Sequence, residues 1–207
     1  DAVRDTLTKD TATVTPASLV ADPSQKAAGT TPAPTPVVVG GNVTVSLAAN
    51  TPAAGSAAST AIRVPFTTIN FTAGDKDATV KNLVVERQGI AADASLDSIS
   101  LLDAADQSKI GFDQTFNSLH QATFNDEITV KAGTTRTLIL AGNMNTVASG
   151  HGGEMPKLAL VSGTVLNGGT LSGTPVVGNA MTVITTLSLG TVTVVKGAYD
   201  PSAAATD

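Results

Sequence analysis

An all-β fold, an antiparallel β-sandwich behind an extended N-terminal segment, is what this sequence predicts, with a barrel as the alternative. Three observations carry the prediction. Val and Thr abound, and their branched Cβ atoms are stiff and pack well on a pleated surface. About ten short apolar runs are separated by Gly, Asp and Asn, the spacing of strands joined by turns. No run follows a 3.6-residue period. Charged residues make up only 14% of the 207, too few for a solvated polyelectrolyte.

Residues 1–9, "DAVRDTLTK", are long enough for one or two helical turns and too short for a helix stable on its own. "DTATVTPASLVAD" (Asp10–Asp22) is β-prone, and Pro16 bars it from a full central ladder. Pro23, Pro32, Pro34 and Pro36 then make an extended or disordered tether up to residue 41. The sandwich is expected over 42–198, with 199–207 as a tail or junction.

Within the sandwich, "NVTVSLA" alternates Val43, Val45 and Leu47. "TAIRVPFTTINFTAG" alternates Ile62, Val64 and Phe66, then slips phase to Ile69 and Phe71 beside Pro65, which predicts a bulge or an edge strand. A turn at Gly74–Asp75 leads into "ATVKNLVVERQG", with Val80, then Leu83 and Val85. "LDSISLLDA", "SKIGF", "ATFNDEITVKAG", "TTRTLILAGNM", "PKLALVSGTVL", "TPVVGNAMTVITT" and "LSLGTVTVVKGA" follow as further strands. With 3% aromatics, the core is expected to be Val, Leu, Ile and Ala, with most of Phe66, Phe71, Phe112, Phe116 and Phe124 buried as its largest pieces.

Composition limits function. A net charge of -5 with no basic run argues against nucleic acid, which needs clustered Lys and Arg. The longest apolar runs fall far short of the ~18–20 residues of a membrane span. No signal peptide is present, so if the protein is exported the signal lies upstream of residue 1. The absence of Cys removes disulfides, thiolate metal sites and Cys nucleophiles together. Richness in Thr, Ser and Ala at low charge points to a bacterial or archaeal cell surface, extracellular in location.

Chemistry-bearing residues are few. His151 and Glu154 form one pair of metal-type ligands without a third, and a solvated loop competes with that reading. His120 reads as a hydrogen-bonded residue at a strand boundary. Asp93, Asp97, Asp103 and Asp106 are candidate ligands for a calcium ion, the one cofactor considered, against a reading as turn-forming aspartates. Neither His lies in a nucleophile motif, and one Tyr with no Trp leaves no sugar platform, so no enzyme is expected. Asn42 and Asn70 match the N-glycosylation pattern, as chance also provides in a Thr-rich chain.

The stretches "VTVSLAANTPAAGSAAST" and "VKNLVVERQGIAADASLDSISLLD", with "SLHQATFND", "VKAGTTRTLILAGNM" and "SLGTVTVVKGAYDPSA", resemble surface-layer-like β-sandwich repeat modules of large exported proteins from candidate-phyla bacteria (Patescibacteria). The resemblance covers most of 42–202 and leaves residues 1–41 outside. It implies an immunoglobulin-like sandwich built into a surface array or filament, either as a fragment of a longer protein or as a stand-alone subunit, and brings no catalytic residues. The expected function is therefore a structural subunit of an extracellular polymer whose partners are copies of itself. Thr11, Ala12, Thr13, Val14, Ala17 and Leu19 are the candidate donor strand, added to a neighbour's sheet edge backbone to backbone. The competing function is a surface-displayed adhesion or ligand-binding module.

Overall fold

The computed structural model describes residues 40–145 and 150–186, and within them the chain is all-β, with 3-10 geometry at Asp93–Ser95 and at Gly150. The strands in chain order are β1 (Val43–Leu47), β2 (Gly55–Ala58), β3 (Val64–Ala73), β4 (Ala78–Ile90), β5 (Leu96–Asp103), β6 (Lys109–Gln114) and β7 (Gln121–Phe124). After these come β8 (Ile128–Val130), β9 (Thr135–Met144), β10 (Met155–Val165), β11 (Leu171–Ser172), β12 (Val176–Val177) and β13 (Met181–Ile184). One sheet runs β11-β1-β3-β9-β5-β6 and the other β12-β10-β4-β7, with β8 also on β4. The long ladders are antiparallel, and a parallel pair β2–β13 stands beside the two sheets. This is the expected sandwich.

The core lies between the two sheets, with Phe66, Phe71 and Phe124 as its largest fully buried side chains. Gly142 on β9 makes room for Phe66, because a Cβ there would stand 2.7 Å from the ring. Phe116 is half-buried against the core.

Phe112 departs from expectation. It is 81% exposed. Strict alternation with Ile110, which packs on the core, would send it inward. Gly111 instead takes φ +67, and the β5–β6 register slips across this stretch: Leu101 faces Ile110 while Ile99 faces Gln114. The extra residues form a bulge that turns Phe112 to solvent.

The phase slips read in the sequence have the same kind of cause. Beside Pro65 the β3–β9 register shifts, so the bulge is there. The edge alternative is not, since β3 lies between β1 and β9. Ile62 precedes the strand instead of joining it, and is exposed. Between Val80 and Leu83, Asn82 takes φ +52, which resets the alternation of β4 against β10. Two predicted runs divide: "ATFNDEITV" into β7 and β8, and "TPVVGNAMTVI" into β12 and β13. Gly178 marks the second break, where a Cβ would lie 2.1 Å from Thr67 Oγ1. The expected strand after Thr186, and all of residues 1–39, lie outside the described residues.

Candidate functional site

Three of the seven described ion pairs, Arg87–Asp93, His120–Asp93 and His151–Glu154, collect where β4 ends, β5 starts and β10 begins. β4 carries Arg87 into a nearly buried position, 8% exposed, where a guanidinium needs partners. The chain supplies them by doubling back. Residues Asp93–Ser95 form a 3-10 turn, fastened by Ser95 Oγ donating to the Ala92 carbonyl at 2.8 Å. Arg87 Nε donates to Asp93 Oδ1 and its Nη1 to the Ala91 carbonyl.

The other Asp93 oxygen meets His120 Nδ1 at 2.7 Å. His120 is delivered by a turn around Asn117, whose Oδ1 accepts the Leu119 and Gln121 amides at 2.8 and 3.1 Å. His120 itself takes φ +60, and its carbonyl accepts the Arg87 amide at 2.9 Å. The expectation that His120 is a hydrogen-bonded boundary residue is met. Asp93, read as a calcium candidate, is held between two side chains that carry positive charge when protonated.

His151 and Glu154 also meet, Nδ1 to Oε1 at 2.8 Å. Glu154 Oε2 accepts the Ala92 amide at 2.9 Å, which ties the head of β10 to the 3-10 turn. Burial pushes both carboxyls up, and their hydrogen bonds outweigh it. Arg87 and His120 hold Asp93 below the usual carboxylate range, while His151 and the Ala92 amide do the same for Glu154. Among the described residues no side-chain hydroxyl hydrogen-bonds either imidazole. The arrangement clamps three loops together. Around it Ile90, Leu119 and Met155 are exposed, Ile90 and Met155 as register partners.

The four calcium candidates are not brought together. Asp93 and Asp97 sit at the start of β5, and Asp103 and Asp106 at its far end, roughly 20 Å of strand away. Asp103 accepts Arg136 Nε and Nη2 at 3.0 and 2.9 Å, and Asp106 caps its own turn through the Ser108 amide at 2.9 Å. Among the described residues no group of three or more His, Asp or Glu is placed to hold a metal ion. Beside the Asp103–Arg136 pair lies a hollow of about 480 Å3, walled by Asn50, Ala104 and Thr137.

Asn42 is exposed at the start of β1, its Oδ1 accepting from the Thr170 amide and hydroxyl at 3.0 Å each. Asn70 is half-buried in β3 and accepts the Thr137 hydroxyl at 2.8 Å. Thr11, Ala12, Thr13, Val14, Ala17 and Leu19 lie outside the described residues. Arg87 was not among the residues the sequence singled out. The available signal was an arginine inside a β run with an aspartate six residues on, across a turn.

The chain's path frames the site. Gly40 and Gly41 enter at the opposite end, bonded to the Asn167 and Asp77 carbonyls at 2.8 and 3.0 Å. β13 reaches the clamp, where the Val183 amide donates to the Glu154 carbonyl at 2.8 Å and the Val183 carbonyl accepts the Gly153 amide at 2.9 Å. No protein-family model matches the chain, and no curated protein matches it.

Proposed function

We propose that this chain is a structural subunit of an extracellular polymer, an S-layer or a filament on a cell surface, whose partners are further copies of itself. The observation that carries the reading is a sheet edge. Among the described residues β6 (Lys109–Gln114) lies last in the six-stranded order with β5 as its ladder partner, and its Phe112 is 81% exposed. An edge of this kind can take a further strand, backbone to backbone, from another copy.

The strand order supports an immunoglobulin-like reading of the fold. Lettered A to G, strands β1, β3, β4, β5, β9, β10 and β12 fall into A-B-E-D on one sheet and C-F-G on the other. That is the order of constant-type domains, with β6, β7 and β8 inserted between D and E. The likeness to surface-layer modules in the strand and turn sequences points the same way.

In this reading the segment 10–20 is handed to a neighbouring copy, and a head-to-tail contact of this kind repeats without closing. Electron microscopy of the purified chain, with and without residues 1–22, tests it. The full chain is expected to form sheets or fibres, and the shortened chain to remain monomeric with its unfolding midpoint intact. Normal polymers from the shortened chain would remove the donor strand. A full chain that stays monomeric under all assembly conditions would remove the polymer itself and favour an adhesion or ligand-binding module.

A further inference from the structure

A sandwich sheet buries its inner face and leaves its outer face to solvent. The six-stranded sheet here breaks that pattern along one stripe. On β5, Leu101 joins the core and Leu102 points away from it. On β9, Leu138 and Leu140 point in, and Ile139 and Ala141 point out. Yet Leu102, Ile139 and Ala141 are only 3%, 7% and 0% exposed, and Ser100 and Thr68 beside them are buried too. The register sets these residues side by side: Leu102 with Ile139, Ser100 with Ala141, and Ile139 with Thr68.

Neighbours within a sheet shield the flanks of a side chain and leave its tip bare. Full burial takes contacts with about six to twelve residues, so a layer must lie above. Of the described apolar side chains, Ala104 is the one packed on this trio, and a single methyl is too small to cover it.

We propose that the outer face of the six-stranded sheet is a docking site for the chain's own continuation beyond Thr186, residues 187–195. Twenty-one residues follow Thr186, and the first nine of them are the strand-forming run. Its sequence, "LSLGTVTVV", sets Leu187, Leu189, Val192 and Val194 among Ser, Gly and Thr and has no charge, which suits an uncharged floor. Reach agrees. β13 delivers the chain to the end where β5 begins, and from Leu96 to Leu102 is about 20 Å, within the ~30 Å that nine extended residues span. The docking is intramolecular and holds for monomer and polymer alike.

The chain has no Cys, so one introduced thiol reports one position. Ala141→Cys in the full chain is expected to react slowly with a maleimide. Adding Leu187→Asp and Leu189→Asp should speed it about 10-fold or more, as local cover is lost. The exposed reporter Phe112→Cys should be unchanged, and the core reporter Ala122→Cys should stay unreactive, which shows the sandwich intact. Should the double charge unfold the chain, Leu189→Gln with the same reporters gives the same comparison in a milder form. Three outcomes overturn the proposal: an unchanged rate at Ala141→Cys, a rate raised instead by Val14→Asp with Leu19→Asp, or protection lost on dilution. The second would make the cover N-terminal, and the third would make it another copy.

Discussion

Phe66 and Phe112 are the same residue type on neighbouring parts of one fold, and their energetic weights should differ by several kcal/mol. Phe66 and Phe124 are fully buried, so Phe66→Ala or Phe124→Ala should cost ~3–5 kcal/mol. Phe112→Ala should stay within about 0.5 kcal/mol, because its ring already stands in water. Urea unfolding of the three variants compares them directly, and equal losses would mean that the bulge in β6 is misplaced. Asp93 makes a second residue-scale case, through pH. Its carboxyl is held below the ordinary range, so the folded chain binds that proton less readily than the unfolded chain. Its contribution is complete above the unfolded value of about 3.9 and is lost as pH falls through the lower folded value. Asp93→Asn should therefore flatten the fall in stability below about pH 4 without abolishing it, since Glu154, Asp77 and Asp113 are shifted the same way. An identical acid limb in Asp93→Asn and the parent chain would show that the Arg87–Asp93–His120 link contributes nothing to folding.

The bulge in β6 is the element whose sequence was hardest to interpret. Gly111 takes φ +67, and a Cβ there would meet the Asp126 carboxylate at 1.9 Å. Gly133 takes φ +66 with nothing within 4 Å of the same added atom. Gly133→Ala and Gly111→Ala should both cost about the left-handed penalty, ~1–2 kcal/mol, with Gly111→Ala larger only by what it takes to swing the Asp126 carboxylate aside, as thermal unfolding would show. A far larger loss at Gly111 would mean that Asp126 is pinned and cannot move. The same contrast explains what was legible beforehand. Strands that keep their alternation, such as β1 and β9, show their inner faces in the sequence, because a two-residue period and burial carry the same information. A single left-handed residue resets that period, and nothing local announces whether Asn82 or Gly111 will be the one. The clamp was half legible for a related reason. His151 and Glu154 are three residues apart and stood out as a pair. Arg87, Asp93 and His120 converge only once β4, the 3-10 turn and the Asn117 turn are folded together.

At the scale of the whole molecule, β4 sets the length of the body: it runs from the end that holds Gly41 to the end that holds the histidine clamp, with β10, β7 and β8 as antiparallel partners. The separation can be measured in the monomer, because the chain has no Cys to interfere with labels. Spin labels on Asn42→Cys and Thr185→Cys should give a distance near 40 Å, the length of β4 at ~3.3 Å per residue, slightly less where the strand twists. A distance below about 25 Å would put Asn42 and Thr185 at one end of the sandwich and contradict the β4–β10 register. In a polymer the axial repeat should exceed that body length by whatever part of the tether 23–41 is extended, up to ~55–60 Å more at ~3.1 Å per residue. The repeat is thus expected between roughly 40 and 100 Å in micrographs of fibres or sheets. A repeat shorter than the body would mean that subunits pack side by side and that no end-to-end strand donation sets the lattice.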